Sequence, residues 1–372
     1  MSEDDQSVTD QRRQIGDRFG RAADPLEKYH EDFVAMQADG VEPFEMFLDD
    51  IVRDSYRKES TVGEYERAIR HFKEFVAQQG RHPACASDTH VIEFAEFEFE
   101  QRENGKSTVK TKLQKVNKAY KYFQNENVFP HSKGYNPIDS AWVKIAWPEE
   151  VEKEYPKVTR EEMREIVADI THVFKRTVIL IGLKLGMRQG EIRNVQLRDI
   201  HIENAELQDH YPELGTHRRL DGRKNAIYIP PEYERSGNKS EYPRILPLDE
   251  EMRRVLTQYL LIRPDCGEPW VFLSQTHHER IRDKDGINRH WREQVRPHID
   301  TAEYEKALTS HFGRHWFSTY WKMENPMEKE YVQYMRGDKI GDGREGDTID
   351  EYLHAYYPDI EDRYRNEIYK LL

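Results

Sequence analysis

The segment Leu308 to Trp321, LTSHFGRHWFSTYW, concentrates groups that can move protons or hold an anion. His311, Arg314 and His315 stand at i, i+3 and i+4, so on a helix they share a face. Phe312, Trp316, Phe317 and Tyr320 supply apolar backing for that helix. One reading is a core helix whose polar groups are hydrogen-bonded and do nothing else. A zinc pair at i and i+4 is weaker, because a metalloprotease helix needs a glutamate after the first histidine and Phe312 stands there. The third reading, a face that grips a phosphate, depends on what the rest of the chain can bring to it.

Three further segments bear on that question. GMRQGEIRNVQLRDI presents Arg188 just past a helix-terminating glycine, with Glu191 three residues on. SGNKSEYPRILPL places Lys239 in a turn eight residues before Pro247, and TIDEYLHAYY contains Tyr352. In the order Arg, Lys, His-x-x-Arg, Tyr, these residues resemble the tyrosine recombinase family of phage integrase and Xer type, and specifically its archaeal integrases. The resemblance spans roughly residues 40 to 370.

The roles it implies make chemical sense. Breaking a DNA phosphodiester without a metal requires a nucleophile, an acid for the departing 5′ oxygen, and fixed positive charge on the equatorial oxygens. Arg188 and Arg314 can fork onto phosphate oxygens in a geometry lysine cannot copy. Lys239 can protonate the leaving oxygen, and His311 can transfer a proton or hold the phosphate. Tyr352 can attack phosphorus and keep the bond energy as a 3′-phosphotyrosine, so no cofactor, ATP or metal is implied.

Two departures from the family pattern stand out. The family's Gly-His pair, with a second active-site histidine, is replaced by Gly337 and Asp338, so Asp338 is the candidate for the sixth catalytic position. A longer glycine-rich stretch then precedes Tyr352, with Tyr356 and Tyr357 close behind. Tyr352 is preferred because YLH resembles the family's tyrosine-x-histidine ending.

The elements that must position these residues read as a mainly α protein with a small antiparallel β-sheet. Residues 1–35 are expected to be a flexible charged segment. Residues 36–146 form an all-helical domain, which by resemblance is the SAM-like core DNA-binding domain. Its helices are VEPFEMFLDDIVRDSY, STVGEYERAIRHFKEFVAQQG with Ser60 or Thr61 as N-cap, SDTHVIEFAEFEFEQRENG, and a lysine-rich helix. Residues 147–158, WPEEVEKEYPKV, read as a linker with prolines at both ends. Residues 159–372 form the mixed α/β DNA breaking-rejoining domain, opened by a capping box of Thr159 and Glu162. Its strands are expected in DIHIENAEL, NAIYIPP and YPRILPL.

Charge bears on the partner. The 372 residues carry a formal net charge of −13, with 57 basic and 70 acidic residues, which by itself argues against nucleic acid. Distribution overrules the total. NGKSTVKTKLQKVNKAYKYFQN contains six lysines and no acid. On a helix Lys106, Lys110, Lys115, Lys118 and Lys121 occupy one half, as a phosphate-tracking surface would, while Val109, Leu113, Val116, Tyr120 and Phe123 occupy the other. GKST here is no P-loop, because Glu100 stands where the first glycine belongs.

The acidic remainder suits a high-salt cytoplasm. No apolar run approaches membrane-spanning length, the N-terminus lacks signal-peptide character, and Cys85 and Cys266 have no metal-ligand or disulfide spacing. The expectation is a cytoplasmic recombinase of an archaeal virus or mobile element. It would act as a homotetramer on double-stranded DNA sites, without a membrane partner or metal. A Xer-like dimer resolvase, a type IB topoisomerase and a DNA-binding regulator retaining the fold are the alternatives, and Asp338 is the regulator's support. The C-terminal DIEDRYRNEIYKLL is amphipathic and fits either a neighbouring subunit or its own domain. The loop HRRLDGRK fits either a phosphate contact or a solvated turn.

Overall fold

The computed structural model describes residues 11, 14–20, 22–55, 59–283, 285–302, 305–340 and 349–372, and for 349–355 the backbone alone. The chain divides after Val151 into two units.

In the first unit the elements are α1 (His30–Ala38), α2 (Pro43–Phe47), α3 (Glu59–Gln78), α4 (Asp88–Glu100), α5 (Lys106–Asn125) and α6 (Pro137–Trp142). Apolar side chains recur at helical spacing on α3 (Tyr65, Ile69, Phe72, Val76) and on α5 (Val109, Leu113, Val116, Tyr120, Phe123), and all are buried. Polar side chains satisfy the exposed amides at helix starts: Ser87 caps α4, and the Asn136 carbonyl accepts from the Ile138 amide at 2.9 Å to start α6.

Two expectations are corrected in this unit. Ser60 and Thr61 lie inside α3, which already runs from Glu59, so neither is its N-cap. The segment up to residue 35 is not uniformly loose, because Leu26 and Phe33 are buried in the core and Asp24 pairs with Arg81 at 2.9 Å.

The second unit contains α7 (Arg160–Asp169), α8 (Val173–Leu185), α9 (Gln189–Asn194), β1 (Ile200–His201), α10 (Ala205–His210), β2 (Ala226–Ile229), β3 (Arg244–Pro247), α11 (Glu250–Ile262), α12 (Gly286–Gln294), α13 (Ser310–Thr319), α14 (Lys329–Arg336) and α15 (Ile349–Glu367). The capping box at Thr159 and Glu162 forms as its spacing predicts. The three strands form one antiparallel sheet in the order β1-β2-β3, with Ile200 opposite Ile227 and Tyr228 opposite Ile245. DIHIENAEL is strand only at Ile200 and His201. The Asn204 side chain accepts from the Leu207 amide at 3.1 Å and starts α10, ending the strand.

α8 and α13 cross closely, with Trp291 of α12 wedged between them. A Cβ on Gly313 would stand 2.6 Å from the Trp291 ring and 3.0 Å from the Gly182 backbone, so the crossing requires glycine. The C-terminal segment packs on its own unit. Tyr364 donates to the Lys184 carbonyl at 2.6 Å, and the Leu371 amide donates to Glu251 at 2.8 Å. Lys184 itself is fully buried between Asp249, at 2.7 Å, and Glu251.

Candidate active site

α8 ends at Gly186, in the left-handed conformation with φ 58°. Arg188 is thereby placed at the N-cap of α9, and its amide donates to the Glu191 carboxylate at 2.7 Å. Burial alone would raise the Glu191 carboxyl. The Arg244 fork at 3.0 and 2.7 Å, with the charges of Arg188 and Arg314, instead holds it at about 2. Glu191 in turn receives a 3.4 Å contact from the Arg188 guanidinium. A chain from buried Arg244 through buried Glu191 to half-buried Arg188 therefore orients the first candidate arginine.

Arg314 arrives from α13 and is only 1% exposed. Its Nη1 donates to the carbonyls of Gly186 (2.9 Å) and Arg336 (2.7 Å). Its Nη2 donates to Asp338 Oδ1 at 2.6 Å, and Arg188 Nη2 donates to the same oxygen at 2.8 Å. Arg336 reaches the other oxygen at 2.8 Å. Burial, followed by repulsion from Arg188, pushes the Arg314 guanidinium down to about 9, which leaves it charged at neutral pH. Arg188, Arg314 and Asp338, as far as 150 residues apart in sequence, thus meet at one point. The aromatic backing expected for α13 is in place, with Phe312, Trp316, Phe317 and Tyr320 all buried.

His311 stays on the exposed side of the same helix, while Arg314 turns inward. Partial burial, then the charges of Arg314, Arg336 and Arg188, lower its pKa, so it is neutral at pH 7 and can accept a proton. The Tyr155 ring lies 6.2 Å from the His311 ring and 4.6 Å from that of His315.

Lys239 lies in the loop joining β2 and β3. Its neighbours are pinned: Asn238 donates to the Pro230 carbonyl at 2.7 Å, and the Ser240 hydroxyl donates to the Gly337 carbonyl at 3.0 Å. A Cβ on Gly190 would meet the Gly237 carbonyl at 2.4 Å, so this loop rests directly on α9. Lys239 itself is exposed and forms no ion pair among the described residues. The loop is joined to the arginine cluster, but the ammonium is not.

Tyr352 falls near the start of α15, and its side chain lies outside the described residues. The two nearby tyrosines are occupied elsewhere. Tyr357 is 2% exposed, hydrogen-bonded to Glu361 and covered by Arg223, and burial raises its phenol. Tyr356 stacks on Tyr334 with ring centres 5.2 Å apart.

On α5 the apolar half is buried as expected, but the lysines do not all face outward free. Lys121 is exposed, and Lys118 is exposed with its ammonium 5.5 Å over the Tyr65 ring. Lys115 pairs with Glu64 at 2.8 Å, Lys110 lies 5.1 Å over the Trp147 ring, and Lys106 is half-buried. Lys112 pairs with buried Glu98 at 2.5 Å. The HRRLDGRK loop is largely spent on its own unit, with Arg219 near Glu234 at 3.5 Å and Lys224 on Glu203 at 2.6 Å.

Sequence reading missed Arg244 and Arg336 as members of the site. Arg244 looks like one residue of a strand in YPRILPL, and nothing local announces that its partner lies 53 residues away. Arg336 had a weak signal, a basic residue in the last turn before a glycine cap.

Residues 156–339 match the family model described as the phage integrase family. Among solved structures, a lambda integrase dimer bound to a COC′ core site aligns with a TM-score of 0.58 at 14% identity, covering 82% of this chain and 97% of that one. The Tn1549 transposon integrase in complex with transposon right end DNA aligns with a TM-score of 0.57 at 17% identity, covering 80% and 91%. A lambda integrase tetramer bound to a Holliday junction aligns with a TM-score of 0.58 at 14% identity, covering 85% and 82%. These likenesses concern the fold. No protein of curated function matches the sequence.

Proposed function

We propose, from the membership of residues 156–339 in the phage integrase family of tyrosine recombinases, that this chain cleaves and rejoins double-stranded DNA at specific sites through a 3′-phosphotyrosine. The observation that carries the reading is the convergence of Arg188 and Arg314 on a single anionic oxygen, at 2.8 and 2.6 Å. Two guanidiniums that meet on one carboxylate oxygen suit the non-bridging oxygens of a phosphodiester equally well.

In the proposed reaction the Tyr352 oxygen attacks phosphorus, the bond from phosphorus to the 5′ oxygen breaks, and Lys239 gives that oxygen its proton. His311, neutral at pH 7, takes the tyrosine proton. Arg188 and Arg314 neutralise the charge that grows on the equatorial oxygens, and preorganised donors of this kind are each worth roughly 3–4 kcal/mol. Rejoining is the same path reversed with a new 5′ hydroxyl. Burial of Tyr357 and stacking of Tyr356 support Tyr352 as the nucleophile.

The first unit would track the duplex with Lys106, Lys110, Lys115, Lys118 and Lys121. DNA-bound dimers and a tetramer among the solved relatives support a homotetramer on paired sites. We place the enzyme, by its resemblance to archaeal integrases, in the cytoplasm as the product of an archaeal virus or mobile element, and the acidic composition supports a high-salt cell. Incubation with a suicide substrate made from the element's own genomic flanks tests the reading. A covalent protein–DNA complex is expected, and none at any salt concentration would favour a DNA-binding regulator.

A further inference from the structure

Three arginines, from the N-cap of α9, from α13 and from α14, surround one carboxylate. Asp338 Oδ1 accepts hydrogen bonds from Arg188 at 2.8 Å and Arg314 at 2.6 Å, and Oδ2 forms an ion pair with Arg336 Nε at 2.8 Å, without hydrogen-bond alignment. An acidic group in this place is the opposite of what a phosphate-binding cluster requires. A phosphate oxygen could not contact the inward-facing Nη2 atoms of Arg188 and Arg314 while Asp338 Oδ1 is there, and two anions in one cluster repel each other.

The backbone around Asp338 is held while its side chain is not enclosed. Gly337 closes α14 with φ 62°, and the Asp338 amide donates to the Gln333 carbonyl at 3.0 Å. The carboxylate is 28% exposed, so rotation about its own side-chain bonds can carry it to water without moving the helix. Arg314 would keep its bonds to the Gly186 and Arg336 carbonyls, and Arg188 its contact with Glu191, so the cluster remains assembled when the carboxylate leaves.

We propose that Asp338 is an internal stand-in for the phosphate: its carboxylate fills the arginine cluster when no DNA is bound and must swing out before the scissile phosphate can enter. The proposal rests on the reading that this cluster holds the scissile phosphate. The carboxylate then sets a threshold. A site that is open only a fraction of the time binds its ligand more weakly by that fraction, so a tenfold preference for the filled state weakens phosphate binding about tenfold. Only DNA held by the many contacts of a correctly assembled complex would displace it readily.

The test measures inorganic phosphate binding by calorimetry, and adduct formation on the suicide substrate, for the full chain and for Asp338→Asn and Asp338→Ala. Both variants are expected to bind phosphate about tenfold more tightly or better and to form adduct faster. Adding Arg188→Ala should cancel the gain in phosphate binding. Unchanged or weaker phosphate binding in variants that melt like the parent would overturn the proposal. Tighter phosphate binding with no adduct from any protein would support the stand-in and sink the recombinase reading instead. Wild-type protein alone supplies a check that needs no variant: saturating phosphate should shift the Asp338 carboxyl carbon resonance, and an unmoved resonance would also overturn the proposal.

Discussion

Replacing Arg244 by methionine should convert Glu191 from an asset into a pH-dependent defect. Glu191 is 1% exposed and Arg244 is 0% exposed, so the pair has no access to water as an alternative partner. The Glu191 carboxyl is held at about 2 against an ordinary value of 4.5. At about 1.4 kcal/mol per tenfold change, that interval corresponds to roughly 3 kcal/mol of differential stabilisation. Because the folded-state pKa is depressed, this contribution is fully present above pH 4.5 and is lost as pH falls towards 2.

Without Arg244, burial dominates and lifts the Glu191 pKa above its ordinary value, which reverses the sign. The variant should then gain stability relative to wild type as pH falls from 8 to 5, because protonation removes an unpaired buried charge. Breaking such a pair costs about 3–5 kcal/mol at neutral pH, or roughly 10 °C in melting temperature for a unit of this size. Calorimetric melts of both proteins across pH 5–8 provide the measurement. A deficit that stays constant over this range would refute the argument, since a simple packing loss has no reason to titrate.

Tyr352→Phe should still shift target DNA in a gel yet form no covalent adduct, whereas Tyr357→Phe should form the adduct; an adduct from Tyr352→Phe mapped to another tyrosine would displace the assignment. Gly337→Ala should be destabilised by about 1–3 kcal/mol and should slow adduct formation, because its Cβ would lie 2.4 Å from Arg244 and 2.5 Å from the Ser240 hydroxyl at a positive φ; a melt and an adduct rate equal to wild type would contradict this. Changing Lys110, Lys118 and Lys121 to alanine should flatten the log-log salt dependence of DNA binding by about two to three, at roughly 0.9 per phosphate contact, and an unchanged slope would reduce α5 to a solvated face.

What could be read from sequence follows the range of the interactions involved. Arg188 was legible because a helix stop and the Glu191 capping partner lie within five residues of it. Arg314 and its aromatic backing were legible because helical periodicity is local. The strand reading of DIHIENAEL failed beyond His201 because the alternation of Ile200 and Ile202 resembles a strand, while a single side-chain bond from Asn204 decides the backbone. Lys115 looks like a solvent-facing lysine until Glu64 arrives from another helix. Asp338 was visible as an anomaly, but its meaning required three arginines from three elements to be seen around it. Arg244 was invisible as a site residue because both its burial and its partner are tertiary facts.

The crossing of α8 and α13 carries an implication for how this protein can change over generations. Gly182, Gly313 and Trp291 fill one volume between them, with the ring 2.9 Å from where a Cβ on Gly182 would stand. Enlarging either glycine while the indole remains forces the helices apart, and shrinking the indole while both glycines remain leaves a cavity. Either single step would also disturb Arg314, which follows Gly313 directly and bonds to the Gly186 carbonyl at the end of α8. The three positions should therefore be inherited as a block, and lineages that differ there should differ at all three, separated by intermediates that recombine poorly.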